Sequence, residues 1–550
     1  MSGLEERKCG SNILNKELGS GGYGVVYSIK KKKNKSTGTV IKVLRHKVIN
    51  SKDEEEEEPA TSFESLIEID VLFRLRTPSL VQGFNIYEPS DCVGIKSVAI
   101  EMESLKDFKD LIGTINVDPI SKILFIYRMA VGIKCLHRNK ILHLDVKPAN
   151  VLYSGSSKSP FLKISDYGLS YQIDDINLGF STPKLFGTRK YRPPEILGAV
   201  RLSSSKYKKI YDDPAYSSEK ELGNLRFSYT NKFDVWSLGI SAIYMIQSTP
   251  THDTILDEWD ELSHNDFYDK IKKMLSVPKK YKFLKSVVKP LGLTNKIEES
   301  FIDLLAGMLN LDPNRRFDID EVLKHDLFRI VQMEKNTSDS KESDNSNKST
   351  PLIPIYKYYP KEKTSFSEDE LVCNIDPLTD EMINGVKYII AAFKGPLKYL
   401  YVRDLFFSLD IYMRIIVACY TRKWSICRKM AILAMKMCFR YYNRSSDFDL
   451  EKYDEEVFSP LEVSILKLFK GTIRVPNLYD YTESASELKV YFEKLIKGNC
   501  DAFNYYFAID YNSLKKRIRK KYDIEDKPRK TINCDIFFQL QISKIAKEER

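Results

Sequence analysis

Two stretches of the sequence hold residue types that can handle phosphate. Leu18-Gly19-Ser20-Gly21-Gly22-Tyr23-Gly24-Val25-Val26 reads Gly-x-Gly-x-x-Gly-x-Val. Glycines let a backbone approach phosphate oxygens where any side chain would collide. Downstream, His143-Leu144-Asp145-Val146-Lys147-Pro148-Ala149-Asn150-Val151-Leu152 precedes Lys163-Ile164-Ser165-Asp166-Tyr167-Gly168. Asn150 and Asp166 are oxygen donors of the kind a hard divalent cation takes. Taken alone the glycine pattern is weak, because a glycine-rich hairpin or a dinucleotide fold explains it about as well.

The surrounding elements narrow the choice. A dinucleotide fold requires a helix opening on the third glycine, and none does. Extended, alternating sequence follows instead, then a second strand-like run, Thr39-Val40-Ile41-Lys42-Val43-Leu44. A lysine inside an apolar strand is unusual, and its placement suits a cation held over the α- and β-phosphates of ATP. Such a cation needs an anchor. In Phe63–Leu75, Glu68 precedes Leu72 and Leu75 at helical spacing, so the leucines pack inward while Glu68 reaches Lys42. Glu64, one turn earlier, competes for the role, and a solvated glutamate is the commoner fate of the residue type on a helix.

In the order glycine loop, lysine, His-x-Asp-x-Lys-x-x-Asn, Asp-Tyr-Gly, the sequence closely resembles the eukaryotic protein kinase family over about Ser11 to Phe328. The resemblance implies an α+β, bilobal protein kinase fold. It makes Leu18 to Val26, Lys42 and the stretch Glu101 to Glu103 the ATP site, with Ile100 at the back of the pocket between the lobes. Lys42 and Glu68 form the ion pair of the catalytic apparatus, and the Pro78–Val81 turn falls where kinases place theirs. Asp145 orients the substrate hydroxyl and accepts its proton, Lys147 neutralises the moving γ-phosphoryl, and Asn150 and Asp166 hold Mg2+. Gly187-Thr188-Arg189-Lys190-Tyr191-Arg192-Pro193-Pro194-Glu195 resembles the end of an activation segment. Asp234-Val235-Trp236-Ser237-Leu238-Gly239 resembles the helix that buries an aspartate under the catalytic loop, and Arg316 is the expected partner of Glu195. Lys147 together with Gly187-Thr188-x-x-Tyr191 resembles serine/threonine kinases, with dual specificity left open.

Three departures qualify the match. Leu144 stands where the family carries the arginine that reads an activation-loop phosphate, which argues against switching by loop phosphorylation; Ser181 and Thr182 stay open as sites, with plain loop polarity the alternative. Tyr167 replaces a phenylalanine. An insertion of roughly Val200 to Tyr229 separates Glu195 from Asp234.

Apolar spacing in the C-terminal third marks helices at Phe406–Ile416, Met430–Phe439 and Leu461–Phe469, the last stopped by Gly471, with Pro476 opening a new segment. Over about Val402 to Lys497 this is similar to a single cyclin box, with Lys436 and Glu462 where cyclins carry their kinase-contacting pair. An all-helical domain of unrelated origin is the alternative. The expected organisation is an N-terminal tail 1–10, a kinase domain 11–331 (small lobe 11–103, large lobe 104–331), a serine-rich flexible linker 332–368 and a helical domain 369–550. A contact in cis between that domain and the helix of Glu68 is expected if the cyclin likeness holds.

Composition sets the outer bounds. The 550 residues are 43% hydrophobic and 29% charged, with nine cysteines and a formal net charge of +10. None of the cysteines forms a Cys-x-x-Cys pair, so reduced thiols are expected rather than disulfides or zinc. The acidic run Asp53–Glu58 reads as a solvated loop. No apolar run approaches the ~20 residues that span a bilayer, and Met1 to Gly10 lacks the apolar core of a signal peptide. The expectation is an intracellular protein, cytoplasmic or nuclear, neither secreted nor in a membrane. Its partners are expected to be proteins offering Ser or Thr. The basic Leu514–Tyr522 raises nucleic acid as a further partner. A pseudokinase scaffold or a nucleic-acid-associated protein are the rival functions. Pseudokinases, however, usually lose one of Lys42, Asp145, Asn150 and Asp166, and all four are present.

Overall fold

The structure is a computed structural model. It describes residues 7–21, 24–30, 38–49, 55–59, 65–75, 77–114, 117–156, 159–173, 178–203, 226–248, 255–277, 279–339, 380–394, 404–405, 407–409, 411–412, 415, 424–442, 455–469, 471 and 473. Gly22, Tyr23, Glu64, most of the insertion, the linker beyond 339, Pro476 and the basic Leu514–Tyr522 lie outside the described residues. The chain divides into two compact units, one of 1–76, 83–102 and 360–550, the other of 77–82 and 103–359.

The first unit is built on an antiparallel sheet. Its strands are β1 (Lys8–Cys9), β2 (Asn12–Gly21), β3 (Gly24–Lys30), β4 (Thr39–Ile49), β5 (Glu55–Pro59), β6 (Gly83–Tyr87), β7 (Cys92–Val93) and β8 (Ala99–Glu103). They run in the order β6-β8-β4-β3-β2-β1-β7, with β5 added beside β4. Val40, Ile41, Val43 and Leu44 on β4 are all buried. The glycine loop is the β2–β3 hairpin, paired Gly19 to Val26, Ser20 to Val25 and Gly21 to Gly24. At Gly24 a Cβ would lie 2.5 Å from the Val43 carbonyl oxygen, so only glycine lets β3 lie this close to β4.

Helix α1 (Leu66–Arg74) is capped by Ser65, whose side chain accepts from the Glu68 amide. Leu66, Ile67, Ile69, Val71, Leu72 and Phe73 are buried, as is Asp70. A helix buried on nearly every side needs cover on nearly every side. C-terminal residues of the same unit provide part of it.

Two sequence expectations are corrected here. Glu55–Pro59 is not a loop: it pairs with β4 in a register that sets Lys47 against Glu57 and His46 against Glu58. Nor are all the cysteines reduced: Cys9 and Cys92 form a disulfide. The β1–β7 register places these two residues opposite each other, a proximity that a separation of 83 residues hides. Lys8–Cys9, within the stretch read as a tail, is therefore part of the sheet.

The second unit contains β9 (Lys106–Asp107), α2 (Phe108–Thr114), α3 (Pro119–Arg138), β10 (Ile141–Leu142), β11 (Val151–Ser156), β12 (Ser159–Ile164), β13 (Tyr171–Gln172), β14 (Phe180–Thr182), α4 (Pro194–Ser203) and β15 (Phe227–Tyr229). Helices α5 (Asn231–Gln247), α6 (Ile255–Asp260), α7 (His264–Leu275), α8 (Lys279–Val288), α9 (Asn295–Met308), α10 (Ile319–Lys324) and α11 (Asp326–Asp339) complete it. The last of these carries helix into the stretch expected to be linker. Asp118 caps α3 with Pro119 in its first turn. Helix α5 is buried along nearly its whole length, from Asn231 to Ile246, and forms the centre of this core. Buried Lys122 on α3 donates to the carbonyls of Ile246 and Ser248, so a cation caps the C-terminal end of α5.

The C-terminal part of the first unit contributes α12 (Asp380–Lys394), α13 (Trp424–Tyr441) and α14 (Glu455–Leu468). Ala431 and Ala434 are fully buried, as close helix packing requires. Gly471 ends α14 at φ 73°, donating its N–H to Leu466 O at 2.8 Å. A Cβ there would meet Phe73 at 2.3 Å, so this glycine serves both the turn and the packing on α1. Asp70 of α1 accepts from Arg74 Nε at 2.8 Å, Tyr441 Oη at 3.1 Å and Ile473 N at 3.0 Å. Lys467 meets Asp91 at 2.7 Å and Glu88 at 3.3 Å. Among the described residues no helix is long and apolar enough to cross a membrane.

Candidate active site

In the second unit a short loop after β10 carries His143 to Asn150, and it is fixed from below. Asp234, fully buried near the start of α5, accepts from His143 N at 2.9 Å, Leu144 N at 2.8 Å and His137 Nε2 at 2.8 Å. Burial pushes the Asp234 carboxyl up. The hydrogen bonds it accepts from His137 and the His143 amide, with the electrostatic pull of the two imidazoles, outweigh that and hold it below the usual carboxylate range. These bonds hold Leu144 in the left-handed region at φ 64°, a conformation that costs a bulky residue about 1–2 kcal/mol. The His143 ring spans the same loop: Nε2 donates to Ser165 O at 3.1 Å, leaving Nδ1 to accept from Asp145 N at 3.2 Å.

Asp145 is the focus. Its Oδ1 accepts from Thr188 N at 2.9 Å and Thr188 Oγ1 at 2.7 Å. Its Oδ2 accepts from Lys147 Nζ at 2.7 Å and Asn150 Nδ2 at 3.0 Å. Burial pushes this carboxyl up, but the Lys147 charge and the Lys147 and Thr188 hydrogen bonds pull it below its ordinary range. Lys147 also donates to Thr188 Oγ1 at 2.8 Å, closing a triangle of carboxylate, ammonium and hydroxyl. Asn150 donates again to Asp145 O at 2.9 Å. Both of its amide bonds therefore run toward Asp145, and its oxygen is left as an acceptor. Asp166, at φ 61° just after β12, is exposed. Among the described residues no hydrogen bond is made to its carboxylate. Mg2+ usually takes one or two protein oxygens and keeps its remaining positions for water and phosphate, and Asn150 and Asp166 fit that demand.

In the first unit Lys42 on β4 meets Glu68 on α1 at 2.9 Å, both largely buried. The carboxylates of Glu101 and Glu103 are each engaged by other side chains. Glu101 accepts from Tyr87 Oη at 2.8 Å and Thr39 Oγ1 at 3.0 Å, and burial and this carboxylate push the Tyr87 hydroxyl up to about 12. In the second unit Glu103 pairs with Lys163 at 2.8 Å and donates its N–H to Gln82 O at 3.1 Å. Leu18, Gly19 and Ser20 are exposed on the hairpin.

Comparison with known proteins agrees with this geometry. Residues 13–328, more than half of the chain, match the protein kinase domain family.

The chain belongs to the protein kinase family.

Its relatives include serine/threonine kinases. The chain is 25% identical to the DNA damage response protein kinase DUN1 of Saccharomyces cerevisiae over 59% of this chain and 56% of that protein. It is 27% identical to the serine/threonine-protein kinase cds1 of Schizosaccharomyces pombe over 50% of each. With the Cell division control protein 2 homolog 1 of Trypanosoma brucei brucei it shares 26% identity over 57% of this chain and 96% of that one. The chain thus spans about half the length of the first two.

Several features of this kinase were not legible as motifs. Tyr167, the aromatic in place of phenylalanine, donates its hydroxyl to Ile164 O at 2.6 Å and accepts from Val81 N at 3.2 Å, contacts that phenylalanine lacks. Thr188 lies directly on Asp145, a contact the Gly-Thr signal hinted at only as a class marker. Arg316 meets Glu195 through two bonds of 2.9 and 2.8 Å, as expected, and lies over the Trp236 ring at 5.0 Å. Glu462, expected to contact the kinase, is fully buried and receives Arg440 at 2.5 Å within the helical part.

Proposed function

We propose that this chain is a protein serine/threonine kinase that transfers the γ-phosphate of ATP to Ser or Thr hydroxyls of protein substrates. The observation that carries the reading is the Asp145 carboxylate, held ionised among Lys147, Asn150 and Thr188. Asp145 orients the incoming hydroxyl and takes its proton, and Lys147 offsets charge on the transferring phosphoryl. Lys42, steadied by Glu68, holds the α- and β-phosphates beneath the Leu18–Val26 hairpin, and the Glu101–Glu103 backbone lies beside the base. Asn150 and Asp166 hold Mg2+, which when bound neutralises charge on the phosphates. Catalysis of this kind is mostly positioning and charge stabilisation. Thr188 bridging Lys147 and Asp145 supports the serine/threonine assignment.

The proposed organisation is a kinase domain over 11–331 and a helical domain over 369–550. We infer that the helical domain acts in cis on α1, in the manner of a cyclin box. Support comes from the buried Asp70 and its bonds to Tyr441 and Ile473, and from the ion pairs of Lys467.

The test is phosphate transfer from labelled ATP to a basic carrier protein and a peptide library, followed by phosphoamino-acid analysis. Wild type is expected to yield phosphoserine or phosphothreonine. Asp145→Asn is expected to lose about 10²–10⁴-fold, the worth of a positioned general base. A folded, ATP-saturated wild type that labels nothing overturns the reading.

A further inference from the structure

The stretch between Tyr171 and Thr188 runs up to the Asp145 site, and its described residues are fastened by an aromatic cluster. β14 pairs with β15, Phe180 to Tyr229, Ser181 to Ser228 and Thr182 to Phe227. β15 lies at the downstream end of the insertion whose purpose the sequence left unread. Phe180 stacks on Tyr171 at 3.7 Å between centroids and on Tyr229 at 5.3 Å, and Phe186 stands edge-on to Tyr229 at 5.3 Å. Leu144 is fully buried in the same cluster, with Ile173, Phe227 and Phe233. An apolar side chain at this position thus fills the core under the segment.

Tyr229 adds direction to this packing. Its buried hydroxyl accepts from Phe186 N at 2.9 Å and donates to Lys184 O at 3.1 Å. Arg192, itself buried, donates to Phe186 O at 3.1 Å and Gly187 O at 2.7 Å. Two residues beyond Phe186 stands Thr188, with both of its donors on Asp145.

We propose that Tyr229 is a positioning residue for phosphoryl transfer: through Lys184 and Phe186 it holds Thr188 on Asp145, and the segment needs no phosphate to stay in place. This rests on the kinase reading above and adds to it a fixed activation segment. Packing against Phe180, Phe186 and Leu144, with the two Tyr229 hydrogen bonds, takes the place of a charge clamp.

The predicted signature is a fall in kcat with KM for ATP unmoved, together with faster exchange at the Phe186 amide, whose N–H the Tyr229 hydroxyl accepts. A residue that only stabilises the fold leaves both unchanged in the folded protein.

The experiment uses the full chain as wild type, Tyr229→Phe, Tyr229→Leu and Ser181→Ala/Thr182→Ala, each treated with a broad-specificity protein phosphatase and confirmed phosphate-free by mass spectrometry. Tyr229→Phe keeps the ring stack and loses both hydrogen bonds. It is expected to drop kcat about ten-fold with KM for ATP little changed, and to speed hydrogen exchange at the Phe186 amide. Tyr229→Leu is expected to fall further. Phosphate-free wild type and the Ser181/Thr182 double variant are expected to stay within about two-fold of untreated wild type. A ten-fold loss on dephosphorylation overturns the proposal, as does a Tyr229→Phe enzyme with unchanged kcat and unchanged exchange. If wild type transfers no phosphate at all, the kinase reading falls, and the exchange measurement alone still decides whether Tyr229 holds the segment.

Discussion

Asp145 receives four donors from three side chains and one backbone amide, so its chemistry depends on how each neighbour biases its charge. Thr188→Val removes the hydroxyl donor, keeps the backbone amide and takes away one partner of Lys147. The sign follows directly. A carboxylate held below its ordinary range loses part of that stabilisation, its pKa rises, and protonation begins at higher pH. The expected outcome is an upward shift in the acid limb of kcat and a kcat loss of about ten-fold or more. A pH series with saturating ATP and peptide reads both, and an unshifted limb would show that Thr188 does not set the Asp145 charge. The residue types of this site were legible in the sequence, because their spacing is specific. The partnership of Thr188 with Asp145 was not, because 43 residues separate the two.

At the level of elements, helices α1 and α5 each carry a buried aspartate that accepts at least three hydrogen bonds. On α5, Asp234 supports the loop before Asp145. Its folded pKa lies below that of an ordinary aspartate. Its contribution to stability is therefore present above that value and lost as pH falls through the lower, folded one. Asp234→Ala leaves the His143 and Leu144 amides without their acceptor, and a loss of about 3 kcal/mol or more is expected. Denaturant titration measures it, and a loss under about 1 kcal/mol would refute the anchoring role. On α1, Asp70 is the counterpart for the helical part of the chain. Tyr441→Phe removes one hydroxyl from Asp70 and is expected to cost about 1–2 kcal/mol. If the helical part acts on the kinase through α1, kcat falls as well, because Glu68 sits half a turn away on the same helix. A Tyr441→Phe protein of unchanged stability and activity would remove that link. The existence of α1 could be read from Ser65 and its apolar run. The identity of its cover could not.

At the scale of the molecule, one compact unit is assembled from residues 1–76, 83–102 and 360–550. The Cys9–Cys92 disulfide closes two of these pieces on each other within its sheet. Closing a loop of this length is worth about 2–4 kcal/mol by restricting the unfolded chain. Cys9→Ser and treatment with a thiol reductant are each expected to lower the thermal midpoint of the full chain to a similar extent. A variant that melts with wild type, or a wild type that reductant leaves unchanged, would show that the bond carries no stability. The insertion before α5 likewise found a role only in the folded chain, where its last strand lies against β14.

The linear order of glycine loop, lysine, catalytic loop and Asp-Tyr-Gly was enough to point to the kinase fold and to nominate the residues proposed to handle phosphate. Each of those signals is local, because a loop or strand a few residues long must present fixed side chains at fixed spacing. Tertiary structure decided what lies against what: Thr188 on Asp145, Tyr229 on Phe186, Tyr441 and Ile473 on Asp70, Cys9 on Cys92. Those contacts join residues far apart in the chain, and the sequence around each partner is ordinary. Burial and hydrogen-bond saturation create them only once the core has closed.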